Sequence, residues 1–408
     1  MRLARSFGGV IALSSLLAFG SLLAACDFRG VRSTFEISGS VPSLDENAPA
    51  FEAALFQSAS ARLLPGHRWS LEPNGRVFDS IISDIAAATV SINFVEYIWD
   101  PGEVSDRLLT AIGTRQNGVK CRVLADPLGS PDFQKVVAPK LRGMGCEAKL
   151  FRPVAMKNLF ERNHRKMVIF DGKTAYLGGF GVRQEWGSKH RRHFRLTRRR
   201  FADEWRDDNI RMTGPVVNDV QRAFAQNWQE AGGALLPEDE LPAIAPDGPA
   251  RVGFVSSTAG YLTESERLVH LLIKSARRRV HIANAYFLPD ESLMALLAEK
   301  VREGVDVRVL LPGSKNDLPL AKIGQRRLYN ELLDGGVKLY EYQPTMMHAK
   351  TMVIDDRLAM IGSLNLNLLS LTRLEEAVFV IDDPELVKEL DESWRYDLRE
   401  SREIKPKN

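Results

Sequence analysis

Cysteine is scarce in this chain, and its few copies do not cluster with histidine. Three of the 408 residues are cysteine, and no CxxC pair occurs, so the spacing that is typical of zinc sites is missing. Charge of one sign is also lacking, because 55 basic and 52 acidic residues leave a net charge of +3. This balance excludes a polyanion-binding signature spread over the whole chain. No metal ion or cofactor is expected.

One long apolar run stands at the start of the chain. Met1–Ser6 carries two arginines, and the nineteen residues 7–25 are uncharged and end in Leu-Ala-Ala before Cys26. This order is typical of a secretory signal, so residues 1–25 are predicted to be removed. The tetrapeptide resembles a bacterial lipobox, which implies a lipid-modified Cys26 and a membrane-tethered protein facing the periplasm or the cell exterior. An uncleaved anchor stays open, since nineteen apolar residues can just span a bilayer.

The other two cysteines, Cys121 and Cys146, lie in or beside predicted strands. Export permits a disulfide between them, but sequence does not give the distance between their Cα atoms. A disulfide and two buried free thiols both remain open.

A short pattern, HxKxxxxD, occurs twice with the same spacing. The copies are His164, Lys166 and Asp171, then His348, Lys350 and Asp355. The first runs into Gly178-Gly179 and the second into Gly362-Ser363. His348 follows His164 by 184 residues, and Gly304 follows Gly118, in a similar strand-flanking position, by 186 residues. Two offsets that agree predict a duplicated fold.

The repeated residues suit chemistry on a phosphodiester. Residues two apart on a strand face the same side, so each His-Lys pair is expected to point into one volume. Lysine ammonium groups bind phosphate. One neutral imidazole can attack phosphorus, and the other, protonated, can donate a proton to the leaving alcohol. Asp171 and Asp355 belong to the pattern, but their places at turns favour a structural role.

Apolar strands alternate with helical stretches in both halves, which predicts an α/β sandwich in each. A pseudo-twofold axis is expected to relate the halves around one shared active site. The predicted boundaries are a signal at 1–25, a tether with an opening helix at 26–65, a first domain at 66–235, a proline-rich extended linker at 236–250, a second domain at 251–400 and a frayed tail at 401–408.

These motifs resemble the phospholipase D superfamily, whose signature is HxKxxxxD followed by GSxN, and within it the bacterial cardiolipin synthases. The second copy is complete through Ser363 and Asn365, whereas Gly181 stands where the family usually has asparagine. The resemblance implies that Ser363, Asn365 and Gly179 contact substrate. It also implies that an acid from the opposite half supports each histidine, Glu375 for His164 and Asp207, ambiguous by one residue with Asp208, for His348.

Residues 189–200 hold seven Lys or Arg with Phe194 and Leu196 between them. Such a stretch can hold an anionic membrane surface. A solvated loop and a nucleic-acid contact are alternatives, and nucleic acid is the least expected partner because the net charge is small.

The resemblance implies a phosphatidyl transferase of the cardiolipin synthase type, with an anionic phospholipid such as phosphatidylglycerol as substrate and a phosphatidyl-histidine on His164 as intermediate. A phospholipase D hydrolase giving phosphatidic acid is the main alternative. A nuclease-type phosphodiesterase and an inactive scaffold rank lower. No obligate protein partner is expected.

Overall fold

The computed structural model describes residues 35–187 and 204–406, and its strands form one sheet that runs through both halves. The strands of the first half are β1 (Leu64–Leu71), β2 (Ser91–Glu96), β3 (Lys120–Ala125), β4 (Glu147–Leu150), β5 (Met167–Phe170), β6 (Thr174–Gly178) and β7 (Asn209–Thr213). Those of the second half are β8 (Ala250–Ser257), β9 (Arg279–Asn284), β10 (Asp306–Pro312), β11 (Lys338–Tyr342), β12 (Lys350–Ile354), β13 (Leu358–Gly362), β14 (Glu376–Asp382) and β15 (Ser401–Ile404).

Helices flank the sheet. They are α1 (Ala48–Ala59), α2 (Arg76–Ala87), α3 (Glu103–Gly113), α4 (Ala138–Gly143), α5 (Gln184–Gly187), α6 (Val217–Glu230), α7 (Glu264–Ser275), α8 (Glu291–Arg302), α9 (Pro319–Arg327), α10 (Tyr329–Asp334), α11 (Leu368–Thr372) and α12 (Pro384–Arg399). Within residues 35–187 and 204–406, no helix is long and apolar enough to cross a bilayer.

The order of the strands displays the duplication. From one edge it reads β15-β11-β10-β9-β12-β13-β14-β8, and it continues β1-β7-β6-β5-β2-β3-β4. Without β15, the second list repeats the first in reverse, as a pseudo-twofold axis between β1 and β8 requires. These two central strands pair antiparallel, with Leu64 opposite Val252. The predicted α/β class and the duplication are therefore confirmed, with the two sheets joined into one.

A shared apolar core locks the halves together. One cluster combines first-half residues such as Ile169 and Leu177 with second-half residues such as Ile361 and Phe379, and it also contains buried residues of α6 and α12. Burial of aliphatic and aromatic side chains at such a junction stabilises it by about 25 cal/mol per Å² of apolar surface. Each half has a further core of its own against its outer helices.

Three terminal or linking segments are more ordered than the sequence predicts. The opening helix predicted in the tether segment forms as α1, and the segment also folds onto the second half, because Leu44 and the α1 residues Phe51 and Leu55 are buried in its core. The predicted frayed tail instead supplies β15, which pairs antiparallel with β11. In the predicted extended linker, Glu240 is fully buried and its Oε2 accepts from Arg122 Nη1 at 2.7 Å. In each case specific partners outweigh the local polar composition.

The two inner cysteines are bonded. Cys121 on β3 and Cys146, just before β4, have Cα atoms 4.6 Å apart and form a disulfide between neighbouring parallel strands. Both are buried in the outer core of the first half. Of the two possibilities that the sequence leaves open, the structure takes the disulfide.

Candidate active site

The two HxK patterns meet where the halves join, just before β5 and β12. Reciprocal backbone contacts hold them there. The His164 amide donates to the Glu375 carbonyl at 2.9 Å, and the Glu375 amide donates to the Arg162 carbonyl at 2.8 Å. In the same way, the His348 amide donates to the Arg206 carbonyl at 2.7 Å. Each half therefore binds the backbone of the other next to a histidine.

A carboxylate from the opposite half stands behind each imidazole. His348 Nδ1 lies 2.9 Å from Asp207 Oδ2, so the structure places Asp207 where the family pattern implied it. His164 Nδ1 lies 2.9 Å from Glu376 Oε1. The expectation of Glu375 at this place is corrected to its neighbour. An acid that accepts a hydrogen bond from Nδ1–H fixes the tautomer in which the lone pair of Nε2 is free on the side of the substrate.

The reason for the correction is the alternation of side chains along an extended chain. Glu375 makes the cross-half backbone pair, so its side chain points away from the one that Glu376 presents. Its carboxylate is buried and accepts from Arg152 Nη2 and Asn227 Nδ2, each at 2.6 Å. It also lies 3.4 Å from Arg165 Nη1. Glu375 thus ties the halves together but does not contact the imidazole.

The strand register contained the signal that sequence reasoning missed. Gly178 lies opposite Asn209 in the β6–β7 pair, and Gly362 lies opposite Val378 in the β13–β14 pair. The acid stands two residues before that partner in both halves. The equivalence is hidden in the sequence because 31 residues separate the first pair and only 16 separate the second.

The residue after each motif glycine lies next to the acid. Ser363 was expected to contact substrate, but its hydroxyl is buried and donates to Glu376 Oε2 at 2.5 Å. In the first half a Cβ on Gly179 would come within 2.5 Å of both Asp207 carboxylate oxygens. Trp186 Nε1 donates to Asp207 Oδ2 at 2.9 Å. The Ser363 hydroxyl therefore positions Glu376, whereas the missing side chain at Gly179 leaves room for Asp207, which the Trp186 indole holds.

The asparagine position also differs between the halves. Asn365 is buried beside the second motif, and its Oδ1 has no hydrogen-bond partner among the described residues. At Gly181, a Cβ would lie 3.2 Å from Ile98 Cβ and 3.4 Å from the Trp186 ring. Trp186 thus crowds the space that an asparagine side chain would need, so Asn365 remains the one candidate of this type for contact with substrate.

The two lysines bring positive charge into a buried volume. Lys166 Nζ donates to the His164 carbonyl at 2.7 Å, and Lys350 Nζ donates to the His348 carbonyl at 2.5 Å. Burial lowers the pKa of Lys166 to about 8, against the charges of Glu376 and other acids. Burial lowers the pKa of Lys350 to about 7, against the charge of Asp207. A bound phosphate anion would favour the protonated form of both.

The imidazoles are kept neutral in the site as it stands. Burial lowers the pKa of His164, with Glu376 opposing and Lys166 adding to the effect. Burial, Lys350, Lys166 and His164 together hold the pKa of His348 well below its usual value. The charges of Lys166 and Lys350 act on both imidazoles, so the four groups lie close together. Burial also raises the pKa of Asp207 to about 6.

Aromatic rings enclose the two histidines unequally. The Tyr97 ring lies 5.0 Å from that of His164. The rings of Trp186 and Trp205 lie 4.9 Å and 5.1 Å from that of His348. These apolar walls limit access of water to His348 and strengthen the electrostatic interactions within the site.

A further buried acid, Glu96, was not found from the sequence. It ends β2, where Val95 pairs with Met167, so its place is opposite Lys166. It is fully buried, and neither carboxylate oxygen has a hydrogen-bond partner among the described residues. Burial raises its pKa well above the usual value, and the charge of Lys166 opposes that shift. In the second half Asn284 lies opposite Lys350.

The two aspartates of the repeated pattern lie at the far ends of the strands. Asp171 accepts hydrogen bonds from the backbone amides of residues 89–91, and Asp355 from those of residues 277–279. Both have a φ of 54°, which aspartate tolerates better than most residues. They fix the strand that carries each His-Lys pair and do not face the substrate volume.

Two predicted functional segments lie outside the described residues, namely Cys26 and the basic stretch 189–200. Within the described ranges, no group of three or more His, Cys, Asp or Glu side chains is arranged to hold a metal ion.

The chain is similar to known proteins over most of its length. Residues 81–190 and 269–398 match the family model described as "Cardiolipin synthase, PLD-like domain". A cardiolipin synthase of Staphylococcus aureus (strain Mu50) is 31% identical over 336 residues, which are 80% of this chain and 66% of that protein. The chain therefore spans just under two thirds of that relative's length. The major cardiolipin synthase ClsA of Bacillus subtilis is 32% identical over 80% of this chain and 68% of its own length.

A solved structure shares the fold. The phosphatidylserine synthase of Haemophilus influenzae superimposes with a TM-score of 0.63 at 14% identity, over 87% of this chain and 92% of that one. At this identity the likeness concerns the fold alone.

The adjacent acids Glu375 and Glu376 are expected to respond differently to the same substitution. Glu376→Gln should lower the turnover number about 10²- to 10⁴-fold, because the acceptor that orients His164 is lost. Its free energy of unfolding should change little. Glu375→Gln should cost about 3 kcal/mol of stability, since Arg165 loses a buried counter-charge. Turnover and urea unfolding of both variants measure the two effects. Equal loss of turnover at unchanged stability in both variants would contradict the assignment.

Proposed function

Since the chain belongs to the family of cardiolipin synthases with phospholipase D-like domains, we propose that it is a phosphatidyl transferase that joins two phospholipids through a covalent phosphatidyl-histidine. The observation that carries this proposal is the buried cluster of two imidazoles, each backed by an acid of the opposite half, and two lysines. Phosphatidylglycerol is the proposed substrate on both sides of the reaction, with cardiolipin and glycerol as products.

In the first step, His164 Nε2 attacks phosphorus. A nitrogen–phosphorus bond forms and the bond to the glycerol oxygen breaks. Glu376 accepts a hydrogen bond from Nδ1–H throughout and stabilises the positive charge that develops on the ring. Lys166 and Lys350 are the charges available for the non-bridging phosphate oxygens.

The leaving glycerol needs a proton, and in this proposal His348 donates it. In the site without substrate, burial and the two lysines hold this ring neutral, but a bound phosphodiester brings a negative charge that offsets the lysines and favours the imidazolium. In the second step the neutral His348 takes the proton of the acceptor hydroxyl. The acceptor oxygen bonds to phosphorus, the nitrogen–phosphorus bond breaks and His164 is restored.

We expect the full chain, incubated with phosphatidylglycerol vesicles, to form cardiolipin and glycerol in equal amounts. His164→Ala and His348→Ala should each lower product formation by about 10³-fold or more, because one removes the nucleophile and the other the proton carrier. Mass spectrometry of the lipids measures this. Glu303→Gln, which alters an exposed acid whose ion-pair partner is Lys300, serves as a control and should behave as the unaltered chain.

Other products would redirect the proposal. Phosphatidic acid without cardiolipin would identify a hydrolase with the same first step. Cardiolipin formation that survives both histidine substitutions would contradict the mechanism.

We also propose that the enzyme works at a membrane to which Cys26 is lipid-linked, with residues 189–200 against anionic lipid and the domains outside the cytoplasm. The Cys121–Cys146 disulfide supports this location, because disulfides persist mainly in oxidising compartments. Palmitate labelling in cells should mark the chain and should disappear in Cys26→Ser. Equal labelling of both forms would count against the anchor.

A further inference from the structure

The mouth of the site on the His348 side carries a tyrosine–aspartate pair outside both motifs. Tyr286 follows Asn284, the residue opposite Lys350, by two positions and so shares its side of the chain. Its ring lies 6.1 Å from that of His348. The Tyr286 hydroxyl lies 2.8 Å from each carboxylate oxygen of Asp317. Asp317 belongs to the loop between β10 and α9, and that loop therefore reaches the His348 side of the site.

Asp317 is an acid among cations. It is exposed at the mouth, although the surrounding protein desolvates it enough to raise its pKa, with the Tyr286 hydroxyl and the charges of Lys350 and Arg183 opposing that shift. In turn, Asp317 is one of the acids that help to keep Lys350 protonated. Its carboxylate therefore acts on the lysine that belongs to the His348 side.

A carboxylate at this place does not suit the phosphate of a lipid. Both groups are anions with only acceptor atoms, so they repel each other at short distance. A carboxylate does suit hydroxyl groups, from which it accepts charge-assisted hydrogen bonds. A ligand with two neighbouring hydroxyls can use both oxygens.

The two halves carry different residues at the Tyr286 position. A site for the acceptor beside only one histidine requires such a difference. Tyr286 comes two residues after Asn284, which lies opposite Lys350. In the first half Glu96 lies opposite Lys166, so Ile98 is the residue that corresponds to Tyr286. An apolar Ile98 offers no hydrogen bond. Tyr97 is the tyrosine beside His164, but among the described residues the tyrosine–aspartate pair lies beside His348, the imidazole to which the proposed function gives the acceptor hydroxyl.

We propose that Asp317, held in place by Tyr286, recognises the acceptor by accepting hydrogen bonds from the hydroxyls of a polyol head group, in this reaction the glycerol of phosphatidylglycerol. This inference rests on the proposed function and adds the group that selects a polyol over water or a simple alcohol. When a polyol enters, its hydroxyls donate to Asp317 either beside the Tyr286 hydroxyl or in place of it.

The test compares acceptors for the same phosphatidyl-enzyme. The full chain, Asp317→Asn and Tyr286→Phe are incubated with phosphatidylglycerol vesicles and 1-butanol, and cardiolipin, phosphatidylbutanol and phosphatidic acid are quantified together. Asp356→Asn is the matched control, because Asp356 is an exposed aspartate whose partners are Arg278 and Arg279. Single-turnover formation of the covalent intermediate measures the donor step separately.

Asp317→Asn should lower the ratio of cardiolipin to phosphatidylbutanol about tenfold. The glycerol acceptor loses hydrogen bonds to the carboxylate, whereas 1-butanol, with one hydroxyl, has no second hydroxyl to lose a contact. Tyr286→Phe should lower the ratio less. The donor step should slow as well, because its glycerol leaves beside His348 and Asp317 acts on Lys350, but the ratio does not depend on that rate, since both products form from the same intermediate. An unchanged ratio, including one in which both products fall by the same factor, would overturn the inference and leave the pair as a loop contact. If the unaltered chain forms no lipid product, the proposed function itself fails and this inference falls with it.

Discussion

The whole arrangement depends on the exchange of backbone hydrogen bonds between the halves beside each histidine. Glu375 pairs with the chain before β5, and Arg206 pairs with the chain before β12. The residue after each of them, Glu376 or Asp207, then reaches the imidazole of the opposite half. Neither His164 nor His348 takes its acid from its own half, so a separated half would lack the orientation of its motif imidazole.

Buried charges hold this exchange in place. Arg206 Nε lies 2.9 Å from Asp397 Oδ2 and its Nη1 lies 2.8 Å from Asp208 Oδ1, while Glu375 binds Arg152 on the other side of the axis. Buried ion pairs add little net stability compared with apolar contacts, but removal of one partner is costly. Their value here is specific geometry, because they fix the register that delivers each acid.

Duplication has left two unequal halves. Glu376 is longer and is held by Ser363, whereas Asp207 is shorter, lies against Gly179 and is held by the Trp186 indole. Two indole rings enclose His348, and a single tyrosine ring lies against His164. The transfer that we propose needs the same inequality, because one imidazole bonds to phosphorus and the other only moves protons.

The sequence was sufficient for the fold class, the duplication and the two His-Lys pairs, because the motif spacing and the strand–helix alternation are local patterns. It could not distinguish Glu375 from Glu376, since that choice depends on which backbone pairs across the halves. It also did not indicate Glu96 or Asp317, whose importance comes only from neighbours far along the chain. The burial of α1 and Glu240 shows the same limit, because tertiary partners outweigh local composition.

The claim that both halves form one active site can be tested by counting and locating the covalent intermediate. The chain is mixed with labelled phosphatidylglycerol, quenched within one turnover and mapped by peptide mass spectrometry. The account predicts at most one phosphatidyl group per chain, and it predicts that this group is located on His164. The group should be absent in His164→Ala and should form more slowly in His348→Ala, which lacks the proton donor for the leaving glycerol. Two phosphatidyl groups on one chain, or a single group on His348, would contradict it.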